Sequence, residues 1–325
     1  MSCTRRTLLR AAGAVALLPA PRVQASTPGW PSRTITIVVP YSPGGGTDIF
    51  TRAIADGMRR SLGQNVIVDN RPGANGVIGA GQVARSEPDG HTLTVVTGAH
   101  VINRYTMLDM PFHPVRDFAP VALLSSFPLV LAASGRSAFH DIAGLLAAAR
   151  ARPGTISFSS TEAATSYVGN SFARQAGIQL NEVSYRGSGP QMNDLIAGHI
   201  DLAVTSTVAV LAHVGTGRVR VLGVTSSTRA ASMPDVPTIQ EAGLPGFEFT
   251  GHYAMYAPPA VSAEIRERLY RAVREAMALP ETAHRLRTLG ADLTALGPRE
   301  FASFLEIEDA RWARAAAEGL ITSAR

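Results

Sequence analysis

Pro40, Tyr41, Ser42, Pro43, Gly44, Gly45, Gly46, Thr47 and Asp48 stand in a row directly after the β-branched run 34–39. A run of that kind ending in prolines and glycines predicts a buried strand feeding a tight loop. Thr47 or Asp48 would then cap a helix over 49–62 that stops at Gly63. Successive glycines let backbone N–H groups point into one concavity beside the positive end of a helix dipole, which makes a seat for an anion. No lysine follows the glycines, so the phosphate-loop pattern is missing and a small carboxylate fits better than a nucleotide. The same loop also reads as a plain strand–turn–helix connection with no ligand.

The design recurs further along. Tyr185, Arg186, Gly187, Ser188 and Gly189 lie between a strand over 182–184 and a helix over 192–197. Thr161, Thr165, Ser166 and Tyr167 follow a strand over 156–159, and Thr205, Ser206 and Thr207 end a strand over 201–204. Each cluster sits at the carboxyl end of its strand, the edge at which open α/β sheets bind ligands. Three such loops opposite one glycine loop form the pattern of a cleft. Arg186 reads either as a guanidinium for a second carboxylate or as a rim residue.

Catalytic chemistry finds little support. The eight histidines include no pair at helical metal-site spacing, and His100, His199, His213 and His252 read as solvated or locally hydrogen-bonded. The nearest approach to a nucleophile elbow, Gly169-Asn170-Ser171-Phe172-Ala173, lacks its final glycine. Gly73, Gly76, Gly79 and Gly81 do not follow a strand with dinucleotide-binding spacing. Every basic residue is arginine, which removes Schiff-base chemistry, and no cofactor or metal is implied. An enzyme acting on a carboxylated substrate remains the alternative class, without a nameable nucleophile, acid–base pair or metal.

The elements that must position these loops alternate between strand and helix, as in α/β layers. Residues 1–25 read as an export leader: a twin-arginine-like charged region at 4–10, a short apolar segment at 11–18 and a small-residue cleavage site at 23–25. The only cysteine, Cys3, falls inside it, so the mature chain would have no disulfide and no thiol nucleophile. Arg5, Arg6, Arg10 and Arg22 would leave with the leader, taking the 30 basic residues to 26 against 25 acidic ones. Near-neutrality argues against a nucleic-acid partner. Apolar runs at 121–124 and 129–132 flank a candidate crossing between lobes, and 247–257 reads as the strand that returns. The expected division is 26–127 plus 252–325 against 128–251. From residue 262 onward the pattern is helical.

Taken in order, these segments resemble the Bug (TctC-like) family, the extracytoplasmic solute receptors of tripartite tricarboxylate transport systems. The resemblance rests on Trp30-Pro31, the loop 40–48, Val68-Asp69-Asn70-Arg71-Pro72-Gly73-Ala74-Asn75-Gly76 and Pro88-Asp89-Gly90-His91-Thr92-Leu93. It continues through Asp117-Phe118-Ala119-Pro120-Val121, Tyr185-Arg186-Gly187-Ser188-Gly189-Pro190, Asp194-Leu195-Ile196-Ala197-Gly198 and Pro234-Asp235-Val236-Pro237-Thr238. It implies an α/β, two-lobed, type 2 periplasmic binding protein of the Venus flytrap kind, each lobe a mixed sheet flanked by helices. The implied activity is non-enzymatic capture of a small organic carboxylate, without a cofactor. Delivery would be to the permease subunits of a tripartite transporter or to a sensor kinase, by a soluble periplasmic monomer.

The resemblance carries the ligand over to Tyr41, Ser42, Gly44, Gly45, Gly46, Thr47 and Asp48, and to Tyr185, Arg186, Gly187, Ser188 and Gly189. Thr165 and Ser166 are the expected hydroxyl donors, His100 the expected wall of the loop 97–100, and Thr205 a further lining position. Family members that take amino acids carry an acidic group near the cleft, often an aspartate where this chain has Thr205. That substitution turns the expectation toward dicarboxylates or aromatic acids. His252 stands where the family commonly has an aromatic residue.

Overall fold

The computed structural model describes residues 29–288, 290–319 and 321, so the expected leader and Cys3 lie outside the described residues. The chain opens with β1 (Ile35–Val39), α1 (Gly46–Leu62), β2 (Val66–Asn70), α2 (Val77–Ala84), β3 (Thr92–Thr97) and α3 (Ala99–Thr106). The long strand β4 (Ala119–Ser134) follows, then α4 (Ile142–Ala151), β5 (Ser157–Ser160), α5 (Ala163–Ala176), β6 (Asn181–Ser184) and α6 (Ser188–Ala197). Next come β7 (Leu202–Ser206), α7 (Thr207–Val214), β8 (Val219–Val224) and β9 (Thr250–Ala257). The C-terminal part holds α8 (Ala263–Ala278), α9 (Pro280–Thr288), β10 (Asp292–Leu296) and α10 (Pro298–Ala317).

Two sheets result, and β4 belongs to both. In the first, β1 pairs in parallel with β2 and β3, while β9 lies antiparallel between β3 and β4. In the second, β4 pairs antiparallel with β7 and β8, and β5 runs parallel to β7 and β6. The sequence reads two apolar runs around a crossing; the backbone instead keeps 16 residues extended through both sheets. Register shifts along the β9 and β8 ladders give β4 the extra twist it needs to change sheets. The chain is therefore a two-lobed α/β molecule, each lobe a mixed sheet under helices.

Thr225 fastens the place where the lobes meet. Its fully buried hydroxyl donates to Phe249 O at 2.6 Å and accepts from Leu129 N at 2.9 Å. One side chain thus joins the middle of β4, the end of β8 and the approach to β9.

Local chemistry explains most element ends. Gly63 closes α1 with φ 68°, the left-handed turn that glycine adopts without a Cβ clash. Asp141 caps α4 by accepting from Gly144 N. The helix after the first glycine loop begins at Gly46, earlier than expected, with Gly45 as its cap. Neither Thr47 nor Asp48 caps it, because the Asp48 carboxylate turns back to Gly44 N at 3.0 Å and to Arg52 Nε at 2.9 Å. The C-terminal stretch is not wholly helical: β10 interrupts it and pairs with β4 through Leu293 and Ser125. Among the described residues, no helix is long and apolar enough to cross a membrane.

Candidate functional site

Four of the parallel strands run toward one place. Tyr41 and Gly46 follow β1, Thr97 ends β3, Thr161 and Glu162 follow β5, and Ser206 ends β7; all line a single cavity of about 30 Å³. Gly187 and Ser188, after β6, line it too. The carboxyl ends of the parallel strands in both sheets therefore converge, the arrangement that open α/β sheets offer to ligands.

Four helices also begin there: α1 at Gly46, α5 at Ala163, α6 at Ser188 and α7 at Thr207. First-turn N–H groups have no acceptor within their own helix, and the helix dipole adds a partial positive charge at that end. Around them stand the hydroxyls of Tyr41, Thr47, Thr97, Ser188, Thr205 and Ser206. Among the described residues that line the cavity there is no arginine or histidine. The potential inside is thus set by backbone amides, hydroxyls and the carboxyl of Glu162.

The two glycine loops touch. Gly46 N donates to Ser188 Oγ at 3.2 Å, and Ser42 Oγ donates to Arg186 O at 3.2 Å. A Cβ on Gly187, where φ is +153°, would stand 2.9 Å from Ser42 N, and one on Gly189 would stand 2.8 Å from Pro43 O. Backbone meets backbone, so these glycines are what permit contact between the lobes at this seam. The loops are in contact, and 30 Å³ holds roughly two waters, so anything larger enters only if they part.

The expected residues divide into three groups. Tyr41, Gly46, Thr47, Thr165, Gly187, Ser188 and Thr205 line the cavity. Ser42, Gly44, Gly45 and Gly189 form or flank the seam between the loops. The rest stand elsewhere. Asp48 supports the first loop from behind, as its bonds to Gly44 and Arg52 show. Tyr185 turns into the second lobe, where its hydroxyl donates to Asp194 Oδ2 at 2.7 Å, and Arg186 is exposed. Ser166 faces a wider neighbouring groove and accepts from Asn170 Nδ2.

Two further expectations need correction. Of residues 97–100, Thr97 lines the cavity, but α3 starts at Ala99 and carries His100 into the first lobe. There its ring packs against Phe112, Phe118 and Tyr256, Nε2 meets Pro114 O at 3.0 Å, and burial pushes its pKa down to about 4. Thr165 lines the cavity but offers no proton to it. Its hydroxyl accepts from Thr161 N and Glu162 N and donates to Glu162 O, which closes the first turn of α5.

Glu162 is the residue that sequence reasoning missed. Thr97 Oγ1 donates to its Oε2 at 2.6 Å, while the same Thr97 oxygen accepts from Ala99 N at 3.2 Å and lies 3.0 Å from the Tyr41 hydroxyl. Burial pushes the Glu162 carboxyl up to about 7, against the hydrogen bond from Thr97 that pulls it down. Its place just before a helix makes it look like a plain capping residue in the sequence. An acidic group therefore does stand in the cleft, supplied by the α5 cap rather than by position 205. Phe127 and Tyr253 complete the wall with rings 4.3 Å apart, and neither carries a sequence signal beyond strand propensity.

Comparison with known proteins places the chain among relatives of one family. A family model described as the tripartite tricarboxylate transporter family receptor matches residues 50–319. A protein encoded in the tcbD-tcbE intergenic region of Pseudomonas sp. (strain P51) is 40% identical over 286 residues, covering 87% of this chain and 85% of its own length. Protein BugT of Bordetella pertussis is 33% identical over 288 residues, covering 87% and 88%. Among solved structures, the periplasmic binding protein BugD superposes with a TM-score of 0.86 at 28% identity, over 90% of this chain and all of that one. An R. palustris protein with adipate gives 0.86 at 31%, over 90% and 99%. MatC from Rhodopseudomonas palustris with bound malate gives 0.84 at 29%, over 88% and 100%.

Proposed function

Because the chain belongs to the tripartite tricarboxylate transporter receptor family, we propose that it is a periplasmic receptor that shuts its two lobes on a small organic acid. It then hands that acid to the membrane permease of a tripartite-type transporter. The observation that carries this reading is the convergence of four helix starts and two glycine loops, drawn from both lobes, on one cavity. Removing a carboxylate from water costs several kcal/mol. Hydrogen bonds to a charged group return about 1.5–3 kcal/mol each, and each helix start adds about 0.3–1 kcal/mol. Three or four amides and hydroxyls suffice. The non-enzymatic reading draws support from malate and adipate, which the related R. palustris proteins hold as bound acids.

Closure is a hinge motion. A ligand that touches both glycine loops has more contacts in the shut state and favours it by that difference. The bend falls where β4 passes between the sheets beside Thr225. The test is calorimetric titration of the exported chain with organic acids, with NMR of the same samples. One tightly bound acid recovered unchanged is the expected result. Absence of binding across the panel refutes the receptor reading, and formation of a product replaces it with an enzyme.

A further inference from the structure

Among the described residues lining the cavity, Glu162 is the only acid, and no basic side chain accompanies it. Its hydrogen bonds fix its role. A threonine hydroxyl has one proton and two lone pairs. Thr97 Oγ1 accepts from Ala99 N and gives its proton to Glu162, so the Tyr41 hydroxyl is the donor in the Tyr41–Thr97 contact. Every donor in this chain of bonds points toward Glu162, whose carboxyl is set up as an acceptor. The helix starts around it favour a negative ligand group, yet a second carboxylate beside Glu162 would meet a like charge once that carboxyl ionises, whereas a cation placed there favours the ionised form.

A protonated nitrogen resolves the conflict. The same cavity is lined by the aromatic residues Tyr41, Phe127 and Tyr253, rings of the kind that attract cations, with the Phe127 and Tyr253 centroids 4.3 Å apart and their planes tilted by 37°. A carboxyl acceptor beside aromatic rings suits an ammonium, while amides at helix starts suit a carboxylate. We propose that Glu162 is a specificity-determining residue that makes this cleft take an acid bearing one carboxylate and one protonated amine in preference to a dicarboxylate. The inference rests on the receptor reading above. It reverses the preference expected from Thr205, because the acidic partner enters from the start of α5.

The test compares the wild-type chain with Glu162→Gln, which keeps the shape and the acceptor for Thr97 but removes the charge, and with Glu162→Asp, which keeps the charge. Glycine, β-alanine and 4-aminobutyrate are titrated calorimetrically beside malate, adipate and benzoate. An amino acid binding the wild type at least tenfold more tightly than any dicarboxylate, with Glu162→Gln losing that preference and Glu162→Asp retaining part of it, is the expected result. A wild type that prefers a dicarboxylate or benzoate overturns the inference and leaves the receptor standing, as does a preference unchanged in Glu162→Gln. Should Glu162→Gln fail to fold, the ranking on the wild type alone decides. No binding by any of the six overturns the inference, and extension of that silence to the full organic-acid panel overturns the receptor as well.

Discussion

Replacing Glu162 by glutamine changes stability in a pH-dependent way that can be worked out from the structure. In the shut fold the carboxyl holds its proton up to about pH 7, whereas its ordinary value is 4.5. Between those values the folded chain binds more protons than the unfolded one, so folding stability falls as pH rises through this window. At 1.36 kcal/mol per unit, the ceiling on the loss is roughly 3 kcal/mol. Glu162 is only half-buried, and solvent screening brings the expected loss to about 1–3 kcal/mol.

Other groups face the same carboxyl. Tyr41 and Tyr253 share the cavity and are pushed upward, by burial first, so both stay neutral throughout. His252 and Glu308 line a smaller cavity that also reaches Glu162, and Asp109 and Glu182 line the groove outside. Burial pushes His252 down. All of these are present in both chains and cancel in the comparison. The assay is urea unfolding followed by the fluorescence of buried Trp312, for wild type and Glu162→Gln across the acid-to-neutral range. Glu162→Gln should match the wild type near its ordinary pKa of 4.5 and become the more stable chain by about 1–3 kcal/mol above pH 7. A difference that is flat with pH, or that favours the wild type as pH rises, refutes the reasoning.

Three other perturbations probe the seam, the crossing and the core. Gly187→Ala places a Cβ 2.9 Å from Ser42 N on a backbone at φ +153°, so the loops cannot meet. Ligand affinity should fall at least tenfold, and the ligand-induced rise in Tm should shrink with it. Thr225→Val leaves Leu129 N and Phe249 O without their buried partner and should cost about 1–3 kcal/mol in chemical unfolding. Gly169→Ala drives a methyl into the Phe158 ring, and overpacking of that kind should cost about 1–3 kcal/mol in the same assay.

The local grammar of the chain was legible before any coordinates. Gly63 ends α1, Asp141 starts α4, and the β-branched run before Pro40 forms β1, because caps, turns and strand propensity act over a few residues. The two glycine loops were legible for the same reason, since only glycine permits backbones to approach as they do at Gly187 and Ser42. Half of the cavity's lining was not. Glu162, Phe127 and Tyr253 come from an α5 cap, the middle of β4 and the fourth residue of β9, and only strand pairing brings them together. His100 shows the converse: it sits three residues past β3, yet the start of α3 turns it into an aromatic nest instead of the cleft. Short-range sterics and hydrogen bonding set the bends within the sequence itself. The choice of which side chains share one small volume needed β4 to bridge two sheets, a long-range pairing that no local pattern encodes.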